Sequence, residues 1–231
     1  MDDYNVILSK LFAQRDDKFR VFNEKIVNVK KDTCIGVRIP LLRKFAKQLV
    51  CSDDFSFETL FSFPNDYFEI RVLKCICVGY ARMPYPERVE LIRRCISVVD
   101  GWAVCDVFCS TLKSLKKYRD EYMDEIRRFV SQDSEFSQRF AYVMLLGLYM
   151  DENYLSEIFS LLDEAKTEYY YTMMGAAWLL AEVLVKFNAR GVEYLQTGKL
   201  SENAKRKAIQ KACESYRLEA DQKKYLKSLK N

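Results

Sequence analysis

The sequence predicts an all-α protein, a solenoid of antiparallel helix pairs, and three observations carry that prediction. Apolar residues recur at three- and four-residue intervals in almost every segment, the period of one helix face. Turn-makers are scarce: 231 residues contain only 7 Gly and 4 Pro, and the prolines (Pro40, Pro64, Pro84, Pro86) all fall in the first 86, too few for a sandwich or barrel of short strands. A hydrophobic fraction of 49% beside 30% charged residues supplies a proper core and excludes disorder. One domain spanning residues 1–231 is expected.

Taken in order, the periodicity predicts helices over 2–14, 16–28, 40–51, 56–62, 66–82, 85–97, 101–117, 121–131, 134–149, 152–161, 167–187, 189–197, 201–215 and 219–229. Several carry start signals. Pro64-Asn65-Asp66 precedes the helix that begins with Tyr67, Pro84-Tyr85-Pro86 separates two helices, and Ser201 sits where a capping side chain is wanted before a basic helix. Connections of two to five residues make consecutive helices antiparallel neighbours. Trp102, Arg139 and Trp178 each occupy a long helix that follows a shorter one, at separations of 37 and 39 residues. That spacing is near the roughly 40-residue period of HEAT-type helix pairs, whose stacking lines one concave groove with equivalent positions.

The absence of His removes Ser-His and Cys-His nucleophilic systems, imidazole proton shuttles and His-rich zinc sites, leaving carboxylate, Lys, Tyr or Cys for any catalysis. The 8 Cys form no CxxC pair, and the nearest spacings, Cys75/Cys77 and Cys105/Cys109, match neither a zinc nor a thioredoxin pattern. Buried free thiols in a reducing cytoplasm are expected, with no metal and no organic cofactor. Met1-Asp2-Asp3 opens no signal peptide, and the longest apolar run, 140–150, is too short to span a bilayer.

Charge is unevenly distributed. From Lys199 onward ten Lys and Arg face four Asp and Glu, whereas the preceding residues hold 27 basic and 29 acidic side chains. Lys205, Arg206, Lys207 and Lys211 are expected to form a basic face for phosphate or for an acidic partner, against the commoner alternative of a merely solvated helix.

Asp100-Gly101-Trp102-Ala103-Val104-Cys105-Asp106 is the most unusual segment. A helix starting near Gly101 places Trp102 and Asp106 at i and i+4 on one face, an aromatic surface beside a carboxylate, suited to a cation or to a positive charge developing in a reaction. The competing reading is a core Trp with an Asp paired to a neighbouring Arg. Trp178 follows the small residues Gly175-Ala176-Ala177, which either let another helix approach or leave a ring face open to a groove. Arg139 is a lone cation entering an apolar helix, where it pairs with a buried acid or offers planar donors to a phosphate.

Together these segments resemble the AlkD-like DNA alkylation repair family, helical-repeat DNA glycosylases that remove cationic alkylated purines. The similarity runs from Ile35-Gly36-Val37-Arg38-Ile39-Pro40-Leu41-Leu42-Arg43, similar to the family's G-[VI]-x-x-P-x-x-R segment, to Lys205-Arg206-Lys207-Ala208-Ile209. Trp102 with Asp106 resembles its W-x-x-x-D catalytic helix, Arg139 its Q-R-x-A arginine and Trp178 its A-x-G-W tryptophan. Ala181 and Met174 stand where the family often carries basic residues. The resemblance implies a HEAT-like fold and release of N3- or N7-alkylated purines from double-stranded DNA, with Asp106, Trp102, Trp178 and Arg139 catalytic. Arg139, Lys205, Arg206, Lys207 and Lys211 would then contact DNA, and a monomer independent of metal and membrane is expected. The rival expectation is a non-catalytic helical-repeat scaffold that binds nucleic acid or an acidic protein.

Overall fold

A computed structural model describes residues 3–27, 29–30 and 32–229. The outermost predicted residues of the first two helices, 2 and 28, lie outside these. Among the described residues the fold is all-α, with fourteen α-helices: α1 (Tyr4–Phe12), α2 (Asp17–Val27), α3 (Ile39–Val50), α4 (Phe57–Ser62), α5 (Phe68–Tyr80), α6 (Tyr85–Ile96), α7 (Trp102–Thr111), α8 (Arg119–Ser131), α9 (Glu135–Leu148), α10 (Leu155–Asp163), α11 (Tyr170–Lys186), α12 (Asn188–Thr197), α13 (Glu202–Glu214) and α14 (Ala220–Ser228). Short 3₁₀ segments cover Lys113–Tyr118 and Glu152–Tyr154. Two compact units divide the chain, Met1–Ser114 and Leu115–Asn231.

In the first unit α5 is central, packing against α3, α6 and α7, and every residue from Phe68 to Val78 is buried. A helix buried all round needs partners for its charged residues. Glu69 finds them in a turn: its carboxylate accepts the backbone N–H groups of Ile35 (2.9 Å), Gly36 (2.7 Å) and Val37 (3.1 Å). Gly36 is required there, since its φ is +94° and an added Cβ would lie 2.7 Å from Arg20 Cβ. Lys74 donates to the carbonyl of Phe63 (2.6 Å) and to Asn65 Oδ1 (2.8 Å), closing the end of α4, and burial lowers its pKa. Arg88 donates to the carbonyls of Val78 and Ala81, which α5 leaves without helical partners at its C-terminus. Gly79 lets α7 come close, for a Cβ there would meet the Thr111 side chain at 2.3 Å.

The helix predicted over 101–117 ends instead at Thr111. Ser110 and Thr111 hydroxyls both donate to the Val107 carbonyl at 2.8 Å, competing with the helical ladder, and Leu112 leaves helical geometry (φ −81°, ψ 28°) before the 3₁₀ segment. The boundary between the two units falls inside that segment.

In the second unit α11 is central, lying against α9, α12 and α13, while α8 packs on α9. The small residues Gly175, Ala176, Ala177 and Ala181 line buried positions of α11 and permit these close approaches. Ser134 and Ser201 cap α9 and α13 through their side chains, as the serine at 201 predicts, and Glu219 with Gln222 forms a capping box on α14.

Candidate functional site

The first unit presents Trp102 and Asp106 on one half-exposed stripe of α7, continued one turn later by exposed Ser110, while Val104, Cys105 and Phe108 face the core. The i, i+4 reading of the pair therefore holds. Gly101 caps the helix in extended conformation, and the Trp102 indole Nε1 donates to the Ile26 carbonyl at 3.3 Å, fixing the ring against the end of α2. Just ahead, Asp100 forms an ion pair with buried Arg71 (3.1 Å), so α5 also holds the entry to α7.

Arg43 anchors the other end of the stripe. Its guanidinium donates to Ser110 Oγ (2.7 Å), Thr111 Oγ1 (3.0 Å) and the Tyr80 hydroxyl (3.0 Å), joining α3 to α5 and α7. The sequence marks Arg43 only as part of a motif and shows nothing of this role, because its partners stand 37 and 67–68 residues away.

In the second unit Arg139 is 6% exposed and buried against α11. Its Nη1 donates to the Tyr171 carbonyl at 3.2 Å, and its guanidinium lies 5.9 Å from the Tyr171 ring centroid. Glu135, one turn earlier, accepts the Tyr171 backbone N–H at 2.6 Å, and Gln138 accepts that of Lys166 at 3.1 Å. Glu135, Gln138 and Arg139 thus grip the start of α11. Gly175 faces Arg139, where an added Cβ would meet Arg139 Cγ at 3.5 Å, and Trp178 follows on the same stripe as Tyr171 and Gly175, half-exposed. Its indole N–H has no hydrogen-bond partner among the described residues.

The four basic residues of α13 do not form the single face expected. Lys205 is 8% exposed and pairs with Glu202 at 3.1 Å, because spacings of two and six residues from Lys207 and Lys211 put it on the opposite side of the helix, toward the core. Arg206 is exposed, and Lys207 and Lys211, four residues apart, are half-exposed on a common face.

Among the described residues no group of His, Cys, Asp and Glu could hold a metal ion, and no helix is long and apolar enough to cross a membrane. Three buried thiols are poor nucleophiles: burial pushes Cys34 up to about 11 and also raises Cys77 and Cys95. What remains for chemistry is an aromatic face beside a carboxylate in one unit, and an arginine beside an indole in the other.

No curated protein matches the chain. The family model described as DNA alkylation repair enzyme matches residues 7–215, from within α1 to the end of α13. The chain therefore belongs to the DNA alkylation repair enzyme family, the one its motifs resemble.

Proposed function

We propose that this protein is a DNA glycosylase that hydrolyses the N-glycosidic bond of N3- or N7-alkylated purines in duplex DNA. The observation that carries this reading is the half-exposed Trp102–Asp106 stripe of α7, with its indole fixed by the Ile26 carbonyl. An alkylated purine is already a cation. When its bond to C1′ breaks, the electron pair leaves with the base, which departs neutral, so no general acid is needed and the lack of His carries no penalty. The sugar left behind has oxocarbenium character. Asp106 stabilises that charge and orients a water for addition at C1′; the water's proton passes to solvent and an abasic site remains. Trp102 offers its face to the cationic nucleotide. In the second unit, half-exposed Trp178 offers its ring and N–H to a nucleotide, and Lys207 and Lys211 offer ammonium groups to backbone phosphate.

Release of free methylated purine from methylated duplex DNA, followed by chromatography, tests the reaction. The burial of Arg139 and Lys205 favours a second reading, the non-catalytic scaffold, because cations committed inside a fold do not contact phosphate. Duplex binding with no base release would select the scaffold.

A further inference from the structure

Beyond the residues matched to the family, α14 carries Lys223, Lys224 and Lys227 within about 100° of its circumference, Lys224 and Lys227 exposed and Lys223 half-exposed beside the buried Leu226 edge. Two other cations of this region are already used: Arg217 binds both carboxylate oxygens of Glu182 (2.6 and 2.7 Å), and Lys205 pairs with Glu202. Among the described residues no ion pair engages Lys223, Lys224 or Lys227. Lys223 and Lys227 stand one turn apart, about 6 Å along the axis, so both ammonium groups can reach successive phosphates of one strand. At the turn leading into α14, Tyr216 is fully exposed (101%), and Tyr225 is half-exposed on the helix itself. An aromatic with nothing packed on it beside a one-sided lysine face suits a sugar–phosphate backbone, where a phenol hydroxyl donates to phosphate and the ring covers sugar.

We infer that the Lys223, Lys224 and Lys227 face of α14, with Tyr216, is an accessory duplex-DNA surface that holds undamaged backbone outside the lesion. The inference rests on the DNA reading above for its partner but not on the glycosylase chemistry. Contacts of this kind neutralise phosphates and release counterions, so they set the salt dependence of binding and carry no lesion information.

The test measures fluorescence anisotropy of a labelled undamaged duplex across a potassium chloride titration, with the full chain and the triple variant Lys223→Gln/Lys224→Gln/Lys227→Gln. Three lost phosphate contacts should make the slope of log affinity against log salt shallower by about 2 to 3, and weaken binding at least tenfold at low salt. Tyr216→Ala should weaken binding at an unchanged slope. Equal thermal midpoints for variant and parent show that the helix remains folded. A slope and affinity unchanged in the folded triple variant overturn the inference, even if methylated base is still released. Loss of slope in a protein that releases no base sinks the glycosylase reading and leaves the surface standing. A parent that ignores duplex but binds polyglutamate, losing it in the triple variant, assigns the face to an acidic protein and overturns its assignment to DNA.

Discussion

The two tryptophans are held in opposite ways. In the first unit the Trp102 N–H is spent on the Ile26 carbonyl, and a half-exposed carboxylate, Asp106, follows one turn later. In the second, the Trp178 N–H has no partner among the described residues, and the neighbouring charge, Arg139, is buried in a clamp on Tyr171. One region immobilises its aromatic ring and exposes its charge; the other leaves its indole donor available and uses its charge for packing. On the glycosylase proposal, the difference separates chemistry from support. A group meant to stabilise a transient cation must be reachable and fixed, whereas a buried guanidinium bonded to a carbonyl works first for the fold.

The largest expected effect falls on the exposed charge. Asp106→Asn should lower base release by about 100-fold or more, the scale of removing one electrostatic stabiliser, in a protein that circular dichroism shows to be folded. Activity within about twofold of the parent would remove Asp106 from the mechanism and dissolve the contrast. Next comes Arg139→Ala. A free phosphate-binding arginine would leave stability unaltered, but the buried clamp predicts a loss of roughly 1–3 kcal/mol, the cost of leaving a buried acceptor unpaired, visible by chemical denaturation. Full retention of stability with loss of DNA affinity would place Arg139 with Asp106 among the working groups.

The indoles themselves give a finer test. Trp102→Phe removes one neutral hydrogen bond and should cost about 1 kcal/mol in stability, whereas Trp178→Phe should change stability by less than about 0.5 kcal/mol. Equal losses in a urea titration would mean that the two rings are held alike. The smallest effect separates two lysines of α13. Lys211→Gln should make the salt dependence of duplex binding shallower by about 0.9, one phosphate contact, while Lys205→Gln should leave the slope unchanged because its ammonium is paired with Glu202.

The helices were legible from apolar spacing because most of them bury one stripe, and the i, i+4 relation of Trp102 to Asp106 follows from helix geometry alone. The break at Leu112 was not legible. It depends on Ser110 and Thr111 turning their hydroxyls back to Val107, beside an arginine arriving from α3. Glu69 and Lys74 were equally silent, since a charge on a central helix reads as a surface residue until the distant turn or carbonyl that satisfies it is in place. Arg139 shows the ambiguity in one side chain: planar donors fit phosphate and carbonyl alike, and only burial separates the two uses.

The shielded thiols carry a meaning suited to a protein of alkylation repair. The electrophiles that damage DNA also attack thiolates, and a repair protein works where such agents are present. Here Cys34, Cys75, Cys77, Cys95, Cys105 and Cys109 lie inside the helices' packing, while Cys51 stands exposed. Burial holds Cys34, Cys77 and Cys95 in the protonated state, the form that reacts least. A methylating agent meeting this protein finds Cys51 before any thiol of the core, and the buried thiols of α5, α6 and α7 are shielded from it by the packing around them.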